Sequence, residues 1–571
     1  MAKTTRAYCT ASSLAGLNFW CLRYPALKRW ATIRRPLRGL GPKASTVLVF
    51  SWAMLLVFLP GALGADSGKS GRKSSNPLPG KIAPILAQPD LNRSFWGIQI
   101  VSLDDQKVLY SLNAEKLFVP ASNTKLFTTI TAMTLLGPDY RFHTTVEASA
   151  PLDKYGRIDG DVILVGRGDP NLSGRSLPYT LKTERTQPTT VALDNLADQL
   201  VKAGVKYIDG DVVADDSYYV DEPYGAGWAQ DDLQWGYGAP VSALTINDNL
   251  IFLNILPGER SGDRAFVTLD PPTAYYKVDN RIVTVATGGT HKIGVHRDQG
   301  SRTVTVWGTV TVNDGPDHQE LAAEDPADYA AQLFYEILSR HGIVIYGHTR
   351  AQHTSQTSIM NEEVPAASLP TLGATSSLPL GNHFSHGLPT YDSLPLIEDI
   401  RVTNKTSQNL HAEMTLRLIG KTSGGIGNTE TGLKIEQNLL TQAGLLPEEY
   451  DLHDGCGLSR ESLVAPAGVV KLLQYAAKQT WSAKFQDTLP VAGVDGSLAD
   501  RWKGTDVVNH VRAKTGTVNH VSALSGYATT LSGKNLAFSI MVNNHALKNG
   551  RAREVIDQIV TAMVEDQTEQ K

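Results

Sequence analysis

The 571-residue sequence predicts an α/β protein in which one domain, assembled from both ends of the chain, is interrupted by a large, mainly β insertion. Three observations predict it. Alternating, strand-like segments occur near Trp96 and return at Ala523–Asn543. Helical periodicity dominates Asn409–Lys478 between them. From about residue 142 the texture turns to short apolar strands and Asp-Gly turns. The expected boundaries are 91–147 with 346–571 for the outer domain and 148–345 for the insertion.

The first 45 residues carry nine Lys/Arg and no Asp or Glu. An apolar run, Val47–Phe58, and the small residues of Pro60-Gly-Ala-Leu-Gly-Ala65 follow. This is the pattern of an export signal over residues 1–65, cleaved near Gly64. The protein is therefore expected to be periplasmic or otherwise extracytoplasmic, associated with a membrane only if the leader is retained. The apolar segment is at the short edge for spanning a bilayer. Without the leader's +9, the body carries a formal charge near −13, which argues against nucleic acid as a partner. Of three cysteines only Cys456 lies beyond the leader, so no intramolecular disulfide and no cysteine-built metal site is expected.

Residues 66–90, rich in Ser, Gly, Lys and Pro, read as a flexible tether. Trp96–Val101 and Val108–Tyr110 around Asp104-Asp105 read as a β-hairpin. Pro120 and Ser122 open a helix whose apolar positions Leu126, Ile130 and Met133 end at Gly137-Pro138. Within the insertion, residues 189–204 and 326–341 read as helices. Ile158-Asp-Gly-Asp-Val recurs at Ile208-Asp-Gly-Asp-Val, through duplication or through two hairpin turns with the same Asp-Gly chemistry. Residues 352–397 have no periodicity and read as a long surface loop. Helices are expected at Asn409–Gly420, Gly432–Ala443 and Ala467–Lys478, then a strand hairpin and a closing helix from about 551.

Ser122 and Lys125 lie three residues apart on one helical face. A serine hydroxyl is a poor nucleophile until a base takes its proton, and a lysine can be that base if its neutral form is accessible. Ser-x-x-Lys alone is a weak signal: Ser70-Gly-Arg-Lys73 fits it too. Ser407-Gln-Asn409, at the start of an apolar-periodic helix, is weak as well. Lys514-Thr515-Gly516 is the one Lys-Thr-Gly in the chain and opens an alternating strand. In this order, on helix start, helix start and strand, the three form the motif set of penicillin-binding proteins and serine β-lactamases. Ser122 and Ser407 are 285 residues apart, against 107 from Ser407 to Lys514. A β-lactamase has no room for so large an insertion there.

The sequence resembles the low-molecular-mass class C penicillin-binding proteins, the D-alanyl-D-alanine carboxypeptidase/endopeptidases, over about residues 90–565. The resemblance rests on Val119–Lys125, Gly168-Asp-Pro170, Asp209-Gly-Asp211, Ser407–Glu413, Asp454–Arg460 and Ala513–Thr517. Cys456 departs from the serine common in the family. The resemblance implies a transpeptidase-like outer domain. Its substrates would be peptidoglycan stem peptides ending in D-Ala-D-Ala, or D-Ala-diaminopimelate cross-links, and β-lactams would acylate it. It implies no cofactor and no metal.

Carried onto this chain, the family's roles make Ser122 the nucleophile and Lys125 its base, kept neutral by Lys514 and burial. Ser407 relays a proton and Asn409 orients Lys125. Lys514, Thr515, Gly516 and Thr517 hold the substrate carboxylate side, and the N–H groups of Ser122 and Thr517 form the oxyanion hole. Asp232, in a segment where Asp231 is the alternative, and Arg460 would bind the two charges of a diaminopimelyl end beside Tyr237. The competing functions are a non-catalytic peptidoglycan-binding or assembly protein and a β-lactamase. The intact Ser122, Lys125, Ser407, Asn409 and Lys514 speak against the first.

Overall fold

Leu536-Ala-Phe-Ser-Ile-Met-Val542 is apolar at every position but Ser539, so a strand made of it must be covered on both faces. In the computed structural model, which describes residues 77–175, 185–356, 388–548 and 550–566, it is the central strand of a five-stranded antiparallel sheet. The strands are β1 (Phe95–Ser102), β2 (Val108–Leu112), β3 (Val511–Val518), β4 (Val521–Thr529) and β5 (Asn535–Asn543), in the order β2-β1-β5-β4-β3. The period of two divides β5 between two cores. Phe538, Ile540 and Val542 pack with Trp96, Ile98 and Ile100 on one face, while Ala537 and Met541 join the helices on the other. The two ends of the chain thus build one sheet.

The expected leader, and the tether up to residue 76, lie outside the described residues. The rest of the expected tether is partly ordered: α1 (Leu78–Leu86) is a helix despite Pro79, Gly80 and Pro84. Its Leu78 and Ile82, four residues apart, are buried in the core that includes the closing helix. Packing of that pair outweighs the poor helix propensity of the segment.

The helical side of the sheet is organised around α2 (Thr124–Leu135), in which every residue from Thr124 to Met133 is buried. Against it pack α3 (Leu396–Lys405), α4 (Asn409–Gly424) and α5 (Thr429–Gln442), and α6 (Pro466–Ala477) lies across β5 and β1. The last helix, α7 (Arg551–Val564), closes the opposite face of the sheet and meets α1.

The inserted region has its own core, in which helices Val191–Ala203 and Pro326–Arg340 pack on mixed sheets. Its five-stranded sheet runs 349–354, 212–220, 162–165, 143–148, 390–392. Strand pairing therefore carries the sheet beyond residue 345, and Thr349–Thr354 and Thr390–Asp392 occupy the two ends of the expected long loop. Residues 357–387 of that loop lie outside the described residues. The Ile-Asp-Gly-Asp-Val recurrence is a parallel stack, with Arg157-Ile158 and Tyr207-Ile208 side by side. Val344-Ile345 adds a third parallel member. Asp161 Oδ1 accepts the Asp211 N–H and Asp211 Oδ1 accepts the His348 N–H, both at 2.8 Å. Each Asp thereby caps the next layer, which a hairpin turn would not do. Tyr219, Ala243 and Leu250 of the insertion are buried in one core with Met414 and Leu418 of α4, so the insertion is packed onto the helices that carry the motifs.

Candidate active site

Ser122 sits in a single 3-10 turn, Ala121–Asn123, immediately ahead of α2. Ala121 has φ +48, a left-handed conformation that costs a non-glycine residue of the order of 1–3 kcal/mol. Two glycines let other elements come up against this turn. A Cβ on Gly516 of β3 would fall 2.6 Å from the Pro120 carbonyl oxygen, and one on Gly457 (φ +80) 1.9 Å from that of Ala121. Asn123 Nδ2 donates to the Lys514 carbonyl at 3.3 Å. The Ser-x-x-Lys turn and the Lys-Thr-Gly strand are joined before any substrate arrives.

Lys125 is fully buried. Its Nζ lies 2.9 Å from Ser122 Oγ, 2.7 Å from Asn409 Oδ1 and 2.7 Å from the Cys456 carbonyl oxygen. The last two can only accept. In its neutral form, with two N–H donors and one lone pair, the amine would spend its donors on those two acceptors and turn the lone pair to the Ser122 hydroxyl. Burial pushes the Lys125 pKa below the ordinary lysine value, against the opposing pull of Cys456, Asp454 and Glu413. Burial is the first cause that lowers Lys125, and Lys514 is driven well down by its own burial and then by its like charge with Lys125.

Lys514 faces inward from β3 and donates to Ser407 Oγ at 2.7 Å and to the Thr515 carbonyl at 2.9 Å. Ser407 has φ +65, and this left-handed turn aims its hydroxyl at Lys514 while the next helix begins at Asn409. Asn409 Nδ2 donates to the Tyr237 carbonyl at 2.7 Å, a contact from the insertion. Ser122, Lys125, Ser407, Asn409 and Lys514 are thus linked through two short hydrogen-bonded chains. Thr515 Oγ1 is 2.8 Å from Ser497 Oγ, and Thr517 is exposed at the end of the strand.

The three residues singled out for specificity lie around this centre. Tyr237 is half-exposed and its hydroxyl donates to Asp232 Oδ1 at 2.9 Å. Arg460 is exposed and donates to the Asn519 carbonyl at 3.0 Å, at the turn that follows β3. Trp228 Nε1 donates to Asp454 Oδ2 at 3.1 Å, so the inserted segment folds back onto the Asp454–Arg460 loop. Asp232 and Arg460 form no ion pair with each other among the described contacts.

Sequence reasoning missed the groups that hold Lys125 in place. Glu413 Oε1 accepts the N–H groups of Gly455 and Cys456 at 2.7 and 2.8 Å, and its Oε2 accepts Arg417 Nη1 at 2.8 Å. Asp454 accepts the N–H groups of Gly457 and Ser459 at 2.9 and 2.7 Å. These bonds fix the loop whose Cys456 carbonyl receives Lys125. Glu413, Asp454 and Cys456 cluster tightly enough to suggest a cation site, but their carboxylate oxygens are committed to N–H donors. The signal for them was the Asp454–Arg460 stretch itself, where an Asp among glycines marks a wired turn.

A family model described as the D-Ala-D-Ala carboxypeptidase 3 (S13) family matches residues 78–372 and 382–565. A D-alanyl-D-alanine carboxypeptidase of Actinomadura sp. (strain R39) is 32% identical over 525 residues, which is 90% of this chain and 89% of that protein. The D-alanyl-D-alanine carboxypeptidase DacB of Haemophilus influenzae is 24% identical, over 78% of this chain and 84% of its own length. The crystal structure of penicillin binding protein 4 (dacB) from Haemophilus influenzae covers 85% of this chain and 99% of its own, at 22% identity, with a TM-score of 0.70.

Proposed function

The chain belongs to the D-Ala-D-Ala carboxypeptidase 3 (S13) family, and from that premise we propose how its residues divide the work of a serine D-alanyl-D-alanine carboxypeptidase and D,D-endopeptidase. Such an enzyme acts on peptidoglycan peptides outside the cytoplasm and is acylated by β-lactams. A relative from Haemophilus influenzae has been crystallised in complex with a β-lactam.

Ser122 Oγ attacks the carbonyl of the penultimate D-alanine as Lys125 Nζ takes its proton, and the acyl-enzyme forms as the terminal D-amino acid leaves. Ser407 carries the proton on to the leaving nitrogen, its hydroxyl held by Lys514. Asn409 fixes Lys125 from one side. Lys514, with Thr515, Gly516 and Thr517, receives the substrate carboxylate. The oxyanion is stabilised by the N–H groups of Ser122 and Thr517, where one lost donor costs on the order of 100–1000-fold in rate. Water then takes the place of the leaving amine, and the same groups run in reverse.

One observation carries this reading. Lys125 Nζ lies 2.9 Å from Ser122 Oγ and 2.7 Å from each of two groups that can only accept, so in its neutral form the amine would keep its lone pair for the serine hydroxyl. A non-catalytic binding protein has no need of so costly an arrangement of buried amines. The test is intact-protein mass spectrometry after benzylpenicillin. The native protein should gain one penicilloyl group, Ser122→Ala should gain none, and Ser70→Ala should label normally. Uptake by Ser122→Ala would refute the assignment.

The finer substrate is a diaminopimelyl end, whose ammonium and carboxylate Asp232 and Arg460 would meet from opposite parts of the rim. Residues 1–65 act as the export signal in this reading. N-terminal sequencing of envelope material should then begin near Ala65 or Asp66, and an intact Met1 species in the cytoplasm would contradict it.

A further inference from the structure

Residue Gln408 stands between the two serine-site partners Ser407 and Asn409, and its own side chain points away from both. Its Oε1 accepts the Leu410 N–H at 2.8 Å, capping α4, and its Nε2 donates to Asp248 Oδ2 at 2.7 Å. Because Leu410 N only donates and an ionised Asp248 only accepts, the orientation of the amide is fixed. Asp248 belongs to the inserted region, 160 residues upstream, and is fully buried.

Three features set Asp248 apart from an ordinary buried acid. It is gripped by both Nη atoms of Arg175, and by Arg185 Nη2 at 2.9 Å. It also lies 3.2 Å from Nε2 of His411, on the first turn of α4, whose Nδ1 lies 2.6 Å from Asp399 Oδ1. And it occupies an arch in which Asn247, Asp248 and Asn249 all have φ near +55, at +50, +58 and +55. Three successive left-handed non-glycine residues are costly, and such strain persists only where the surroundings dictate it. The arch is wired on both sides: Asn247 Nδ2 donates to the Leu250 carbonyl at 3.1 Å, and Asn249 Nδ2 to that of Pro240 at 2.9 Å. Across the Gln408–Asp248 bond it faces a second left-handed residue, Ser407.

We propose that Asp248 is a positioning residue for catalysis: through Gln408 it sets the Ser407–Asn409 turn, so that the inserted region is part of the active-site machinery. This rests on the catalytic reading of Ser407 and Asn409 given above. The turn has to satisfy two lysines at once, Ser407 to Lys514 and Asn409 to Lys125, both at 2.7 Å. A shift of Gln408 by an ångström breaks one or the other. The arginines keep Asp248 ionised: burial raises its pKa, but Arg175, Arg185 and His411 outweigh burial and hold it well below the usual carboxylate range. The carboxylate is therefore a constant acceptor at any pH at which the enzyme works.

The test uses the full chain and benzylpenicillin, with the limiting acylation rate separated from the half-saturating concentration by stopped-flow. Gln408→Ala, Asp248→Asn and the double variant are compared, with melting temperatures measured alongside. Misplacement of reacting groups by about 1 Å costs on the order of 100-fold, so each single variant should lose about 10- to 100-fold in the limiting rate. The half-saturating concentration should hold to within about threefold. The double variant should be no more than about threefold slower than the slower single variant, because the two residues act through one bond. The proposal is overturned if Gln408→Ala keeps its limiting rate within about twofold, or if the two losses multiply. Should Asp248→Asn not fold, Gln408→Glu takes its place, since it keeps an acceptor for the Leu410 N–H and both arginine contacts and loses only the donor to Asp248. Absence of any adduct on the unaltered protein would overturn the catalytic reading, and this proposal with it.

Discussion

Glu436 offers a test of how far burial controls protonation behind the active site. It lies on α5, is 1% exposed, and neither carboxyl oxygen has a hydrogen-bond partner among the described residues. The nearby Thr128 hydroxyl donates to the Gly455 carbonyl at 2.9 Å, so its proton is not free for the carboxylate. Burial is the main cause that drives the pKa of Glu436 from 4.5 up to about 8, with Glu413 and Asp454 adding to it. Between those two values the folded protein holds a proton that the unfolded chain has lost. Stability therefore falls as pH rises through this window. Each pKa unit corresponds to about 1.4 kcal/mol, and integration from pH 5 to pH 8 gives a loss of about 3 kcal/mol. Glu436→Gln keeps the shape and cannot ionise, so it should escape this loss. For a folded body of this size, unfolding entropy converts about 1 kcal/mol into about 1 °C. The melting temperature of Glu436→Gln minus that of the native protein should thus rise by about 3 °C between pH 5 and pH 8, read by scanning calorimetry at matched ionic strength. A difference that stays constant with pH, or falls, would refute the reasoning.

Two further outcomes follow from the site. Gly457→Ala would push a methyl group into the Ala121 carbonyl beside Ser122 and force a left-handed alanine. Benzylpenicillin acylation should slow by at least about 100-fold while a substantial folded fraction remains, and an unchanged rate would show that the Ser122 turn tolerates displacement. Asp232→Ala and Arg460→Ala should each slow cleavage of diaminopimelyl peptides by about 10- to 100-fold, the worth of a charge-assisted hydrogen bond of about 1.5–3 kcal/mol. Penicillin acylation should change much less, and equal losses on both substrates would assign these residues to the fold.

Periodicity and turn chemistry were enough to read the hairpin at Trp96–Tyr110, the helices around residues 409–478 and the division of the outer domain between both chain ends. These features are local, or repeat at a fixed spacing, and a linear text preserves them. The order Ser-x-x-Lys, Ser-x-Asn, Lys-Thr-Gly likewise survives in one dimension, and it led to Ser122, Lys125, Ser407, Asn409 and Lys514 without coordinates. The helix Leu78–Leu86 escaped notice because its stability comes from Leu78 and Ile82 in a distant core, against local proline and glycine signals. The stacking of Ile158-Asp-Gly on Ile208-Asp-Gly was equally hidden, since parallel pairing across 50 residues leaves no spacing rule. The protonation logic was decided by tertiary structure alone. Lys125 is buried against Cys456 and Asn409, and Lys514 faces inward because of the register of β3. Asp248 reaches Gln408 only because the insertion packs onto α4. Charge, burial and hydrogen-bond geometry depend on distances in space, and residues 160 or 331 positions apart become neighbours only when the chain has folded.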